Sequence, residues 1–111
     1  MKKTLLIIAC MAFALSAQAE SKYTASDNAT YVQAINELKS SGLIVSMNEE
    51  FHKVVVEPSI WKTLTYAQKE TMTSIIGAHF DYTSGYSSLT ILDKYTNKKL
   101  AKFGVFGLKV Y

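Results

Sequence analysis

Two histidines, nine carboxylates and a serine–lysine pair are the side chains of this 111-residue chain that could move protons, hold a metal or attack a carbonyl. His79 and Asp81 could offer zinc a nitrogen and an oxygen, with His52 as a third ligand. Residues two apart on a helix point in different directions, however, so His79-Phe80-Asp81 chelates only where the helix has already ended. Glu49 and Glu50 are adjacent in a predicted loop and Glu57 follows a predicted strand. Paired carboxylates do acid–base work when their surroundings drive their pKa values apart, and neighbours in a loop are both solvated and both ionised. Glycine-rich phosphate loops, an H-E-x-x-H helix and a nucleophile elbow do not occur in the sequence. These patterns predict no catalytic set, no metal and no cofactor. His79, Asp81 and Glu57 are the residues of the enzymatic alternative, a small hydrolase acting on the cell wall.

Ser59-Ile60-Trp61-Lys62 has the S-x-x-K form of serine β-lactamases and penicillin-binding proteins, and Ser26-Asp27-Asn28 supplies an S-D-N triplet. The chain resembles that family in those residues only. The triplet precedes the S-x-x-K, no K-T-G follows, and the chain is too short for the usual two-part catalytic domain. The same residues serve better as helix caps, Ser59 for a short turn and Ser26 or Asp27 for the first helix.

Binding is the class that the remaining residues favour. Tyr82, Tyr86 and Tyr95 fall in predicted loops, where tyrosine offers rigid amphipathic contact area. Near the last of them stand Lys98, Lys99 and Lys102, and together the six make the candidate binding surface. All twelve basic residues are lysine, so the forked, bidentate recognition of phosphate or guanine that arginine provides is lacking. Nucleic acid is therefore not an expected partner. From Asp93 to Tyr111 there are five lysines and one acid, whereas residues 20–92 hold five lysines and eight acids. That asymmetry is a solvated surface or a docking patch for an acidic partner or an anionic envelope surface.

The elements that must position these residues follow from periodicity. Tyr31, Ala34, Ile35 and Leu38 make one helical stripe behind Ser26 and Asp27, closed by Ser40-Ser41-Gly42. Leu43 to Met47 and Phe51 to Glu57 read as an antiparallel hairpin, ended by Pro58, and Ser59 to Leu64 as a short helical turn that presents Trp61 to the core. Thr65-Tyr66-Ala67-Gln68 has capping-box form ahead of a helix from about Tyr66 to Phe80, and Asp81 to Ser88 reads as a loop pivoting on Gly85. Leu89 to Ile91 and Ala101 to Val105 alternate around a turn at Asp93 to Lys98, with Gly104 and Gly107 marking a bulge or bend in the last strand. The predicted fold is a single small α+β domain. It has two main helices on one face of a four-stranded, mainly antiparallel sheet, in the order α-ββ-α-ββ.

Met1-Lys2-Lys3, the apolar run Leu5 to Leu15 and Ala17-Gln18-Ala19 have the form of a secretory signal peptide cleaved between Ala19 and Glu20. Eleven apolar residues are too few to span a bilayer. Residues 1–19 are thus a cleaved leader, 20–26 a polar lead-in and 27–111 the domain. Removing the leader leaves 92 residues, takes away the only cysteine, Cys10, and lowers the formal charge from +3 to +1. A disulfide-free domain of this size behind a short Lys-Lys start points to bacterial export, most simply to the periplasm. The expected function is a non-enzymatic inhibitor, immunity or accessory protein of the cell envelope, with a structural subunit pairing through an edge strand as a further alternative. The expected partner is another envelope or secreted protein, or a glycan. The mature form is expected to lack a membrane span and to be a monomer or weak homo-oligomer.

Overall fold

The computed structural model describes residues 24–111, so the leader, its cleavage site at Ala19 and Glu20, and the start of the lead-in lie outside the described residues. The element order is α1 (Ala25–Ser40), β1 (Ile44–Asn48), β2 (Lys53–Val56), α2 (Pro58–Trp61), α3 (Tyr66–Ser84), β3 (Leu89–Asp93), β4 (Lys99–Gly104) and β5 (Gly107–Val110). This is an α+β domain whose helices pack on a five-stranded, mostly antiparallel sheet of order β1-β2-β3-β4-β5. No described helix is long and apolar enough to cross a membrane.

Local chemistry accounts for the helix limits. Thr24 caps α1, its hydroxyl accepting from the Asp27 amide while the Asp27 carboxylate accepts from the Thr24 amide. Ser26 and Asp27 therefore lie inside the first turn and do not cap it, and Asp27 also meets the positive end of the helix dipole. Thr65 and Gln68 form the expected box at the start of α3. That helix runs past Phe80 to Ser84, because nothing stops it before Gly85 takes the left-handed conformation at φ 88°. Tyr82 is consequently helical.

The sheet has one strand more than the expected four. Gly104 pairs with Gly107, Val105 and Phe106 close the turn between them, and Gly107 sits at φ 91°. An ordinary turn followed by a left-handed glycine is a hairpin geometry, so the two glycines divide the last strand where a bend was expected. β2 runs parallel to β3 because α2 and α3 intervene, while every other pair is antiparallel.

Alternation sets the two faces of the sheet. Val54, Val56, Leu89, Ile91, Ala101 and Leu108 are buried in one cluster with Tyr31, Ile35 and Leu38 of α1 and Met72, Ile75, Ile76 and Phe80 of α3. Trp61 joins this core as expected. Close approach of α3 depends on Gly77, where a Cβ would stand 2.8 Å from the Ser87 carbonyl oxygen and 3.0 Å from Phe103 Cε2. The other sheet face carries no helix.

Candidate functional site

Strand directions gather the loops at two opposite ends of the sheet. At one end lie the β1–β2 loop, the segment joining α3 to β3, and the β4–β5 turn. At the other lie the β2–α2 junction and the β3–β4 loop.

The first end is built around His52. The last residue of the β1–β2 loop must take a positive φ to return the chain, and His52 does so at φ 52°. Its ring is 3% exposed, stacked between Phe80, with centroids 4.2 Å apart, and Tyr86, at 3.9 Å. Nδ1 donates to the Ser88 carbonyl at 2.7 Å, and Nε2 is buried without a hydrogen-bond partner among the described residues. The same loop is tied to both long helices by His79 of α3. Its Nδ1 lies 2.7 Å from Asn28 Oδ1 of α1, and its Nε2 lies 3.3 Å from Glu49 Oε1. At this end Phe51, Tyr86, Val105 and Phe106 stand exposed. Tyr82, near the end of α3, is exposed as well.

The second end is built around Glu57. Its carboxylate accepts from the amide and hydroxyl of Ser59, capping α2, and from the Tyr95 hydroxyl at 2.9 Å, while Lys94 Nζ lies 3.3 Å away. The two Ser59 bonds lead in pulling its pKa from the usual 4.5 down to about 2, with the Tyr95 hydroxyl and Lys94 adding to them. Lys94 is raised in return, chiefly by its bond to Glu57. This set fastens the β3–β4 loop to the start of α2.

The six residues of the predicted surface are divided by this architecture. Tyr82 and Tyr86 belong to the His52 end. Tyr95 and Lys98 belong to the Glu57 end, one full strand length away along β3. Lys102 projects from the helix-free face of β4 between them, since Ala101 and Phe103 alternate onto the core side, and the register shift that leaves Leu100 unpaired sets Lys99 opposite Leu92 on that same face. His79 and Glu57 stand at opposite ends, so the hydrolase residues do not gather into one site, and the hydroxyl of the S-x-x-K serine is bonded to the Glu57 carboxylate. Among the described residues no three metal-ligating side chains come together.

Phe51, Val105 and Phe106 were not among the predicted surface residues. Phe51 reads as a strand residue until His52 is known to turn. Val105 read as the continuation of an alternating strand, and the paired glycines around Val105-Phe106 were the signal that this pair is a turn. No family model, curated protein or solved structure matches this chain.

Proposed function

We propose that the chain is an exported, non-enzymatic binding module serving as an inhibitor, immunity or accessory protein of the cell envelope, and that it engages its partner with the His52 end of the sheet. One observation carries this reading: four large apolar side chains, Phe51, Tyr86, Val105 and Phe106, are exposed at one end. Exposed apolar groups gathered together mark interaction surfaces. The His52 ring stacked on Tyr86 is held by the Ser88 carbonyl, so the Tyr86 contact area is pre-organised and loses little freedom on binding. The ionisable groups that could do acid–base work serve instead as ties, Glu57 to Ser59, Tyr95 and Lys94, and His79 to Asn28 and Glu49.

The test is expression of the full chain in a bacterial host, with the N-terminus of the exported product read by mass spectrometry and that product used to capture partners from envelope extract. A mature start at Glu20 is expected. Capture should be lost in a Phe51→Ser/Tyr86→Ser variant and kept in a Tyr95→Ser/Lys98→Ser variant. A product retained in the cytoplasm, or capture indifferent to the first variant, overturns the reading.

A further inference from the structure

We propose that the His52 end of the sheet docks on an anionic membrane surface, with Val105 and Phe106 entering the bilayer interface and Lys53, Lys102 and Lys109 meeting the lipid phosphates behind them. This rests on the binding-module reading and names the partner of the same surface.

The lysines form a row fixed by strand register. Lys53 is aligned with Thr90, Thr90 with Lys102, and Lys102 with Lys109, so the row runs from β2 to β5. Their neighbours in sequence, Val54, Ile91, Ala101 and Leu108, are buried against the helices, which puts the row on the helix-free face. Lys99 lies on that face as well, aligned with Leu92. The described strand residues of this face include no carboxylate, and none of these four lysines makes an ion pair with a described carboxylate. Lys102 directly opposite Lys109 is a repulsive cross-strand pair in the free protein, and a bound anion relieves it. The acids at this end are Glu49 and Glu50 of the β1–β2 loop, Asp27 in the first turn of α1 and Asp81 near the end of α3; Glu49 is drawn toward His79 at 3.3 Å, and the Asp27 carboxylate is engaged by the Thr24 amide.

The apolar part has the matching position. Phe106 is 101% exposed and Val105 92%, so both project beyond everything around them. They stand three or four residues from Lys102 and Lys109 along the hairpin, about 10 Å at the rise of a strand. Interfacial elements bury their apolar groups about 5–10 Å below the headgroup level, so the tip reaches that depth when the lysines are level with the phosphates. Phe51 and Tyr86 are exposed at the same end of the sheet, and tyrosine is a side chain that favours the boundary between hydrocarbon and water. A convex tip exposed on all sides requires a fitted groove in a protein partner, whereas a bilayer receives it without one.

The experiment is co-sedimentation of the exported protein with phosphatidylcholine vesicles and with mixed phosphatidylcholine–phosphatidylglycerol vesicles. Three variants are compared with wild type: Val105→Ser/Phe106→Ser, Lys102→Gln/Lys109→Gln, and the charge-matched Lys62→Gln/Lys98→Gln at the other end. All six positions are exposed, and unchanged thermal melting verifies the fold. Wild type should bind the mixed vesicles far better than phosphatidylcholine alone, and less as salt rises. The tip variant and the Lys102/Lys109 variant should each lose on the order of tenfold in partitioning, and the Lys62/Lys98 variant less than about twofold. Absence of vesicle binding, equal binding to both lipids, or equal loss in the two lysine variants overturns the proposal. Capture of a protein through Phe51 and Tyr86 without vesicle binding also overturns it, while leaving the binding-module reading in place.

Discussion

The β1–β2 and β3–β4 loops are the same backbone turn put to opposite uses. Each opens on an Asx side chain whose Oδ1 accepts an amide three residues on, Asn48 from Phe51 and Asp93 from Thr96. Each closes, four residues after that Asx, on a non-glycine residue at positive φ, His52 at 52° and Asn97 at 60°. Asparagine and histidine are among the side chains that tolerate this conformation. Asn97 then points to solvent, and its loop is held by charge and hydroxyl bonds to Glu57. His52 turns inward and its loop is held by ring stacking. Fastening by charge responds to pH and salt; fastening by stacking responds to shape.

The sharpest test exchanges the closing residues. His52→Asn preserves the tolerated φ and removes the ring between Phe80 and Tyr86, and it should cost about 2–4 kcal/mol in urea unfolding. Asn97→His adds an exposed ring to the other loop and should change stability by less than about 0.5 kcal/mol. Equal effects would show that the two turns are energetically alike and dissolve the contrast. Gly77→Ala attacks the stacked end indirectly, because the Ser87 carbonyl that its Cβ would meet at 2.8 Å is backbone and precedes the residue holding His52. A loss of about 1–3 kcal/mol is expected, with the Tyr86 ring environment altered in NMR spectra. A silent Gly77→Ala would mean that α3 is free to move away from this segment.

The same contrast explains what could be read from the sequence. Both main helices, the Thr65 box, the Gly42 and Gly85 stops and the burial of Trp61 were legible, because caps and 3.6-residue periodicity are local signals. Whether a turn's closing side chain faces inward is decided by partners far along the chain, Phe80, Tyr86 and Ser88 for His52, and no periodicity reports it. Tyr82 and Tyr86 sit four residues from each other, and Tyr95 and Lys98 three, so sequence proximity joined them into one patch. The direction of β3 separates them, and strand direction follows from the parallel β2–β3 pairing, which two-residue alternation cannot distinguish from antiparallel.

At the charge-held end the prediction concerns pH. Glu57 is pulled from 4.5 to about 2 in the folded chain, so it contributes stability that is fully present above about pH 4.5 and is lost as pH falls through 2. Glu57→Gln should therefore melt at a lower temperature than wild type at neutral pH, with the difference shrinking across that acid window. A Glu57→Gln difference independent of acid would mean that the carboxylate's charge does not hold this loop.

The smallest expected effects come from removing one hydroxyl at each end. The Tyr95 hydroxyl donates to Glu57 Oε1 at 2.9 Å, and that bond is one of the causes lowering the Glu57 pKa. Tyr95→Phe should cost about 0.5–1 kcal/mol and move the acid transition of Glu57 upward, toward the ordinary carboxylate value. Tyr86 works through its ring, stacked 3.9 Å from His52, so Tyr86→Phe keeps the contact and should leave stability within about 0.5 kcal/mol. Both can be followed by carboxyl-detected NMR titration alongside urea unfolding. A Tyr86→Phe loss as large as that of Tyr95→Phe would place a hydroxyl bond at the stacked end and make it, too, a polar tie.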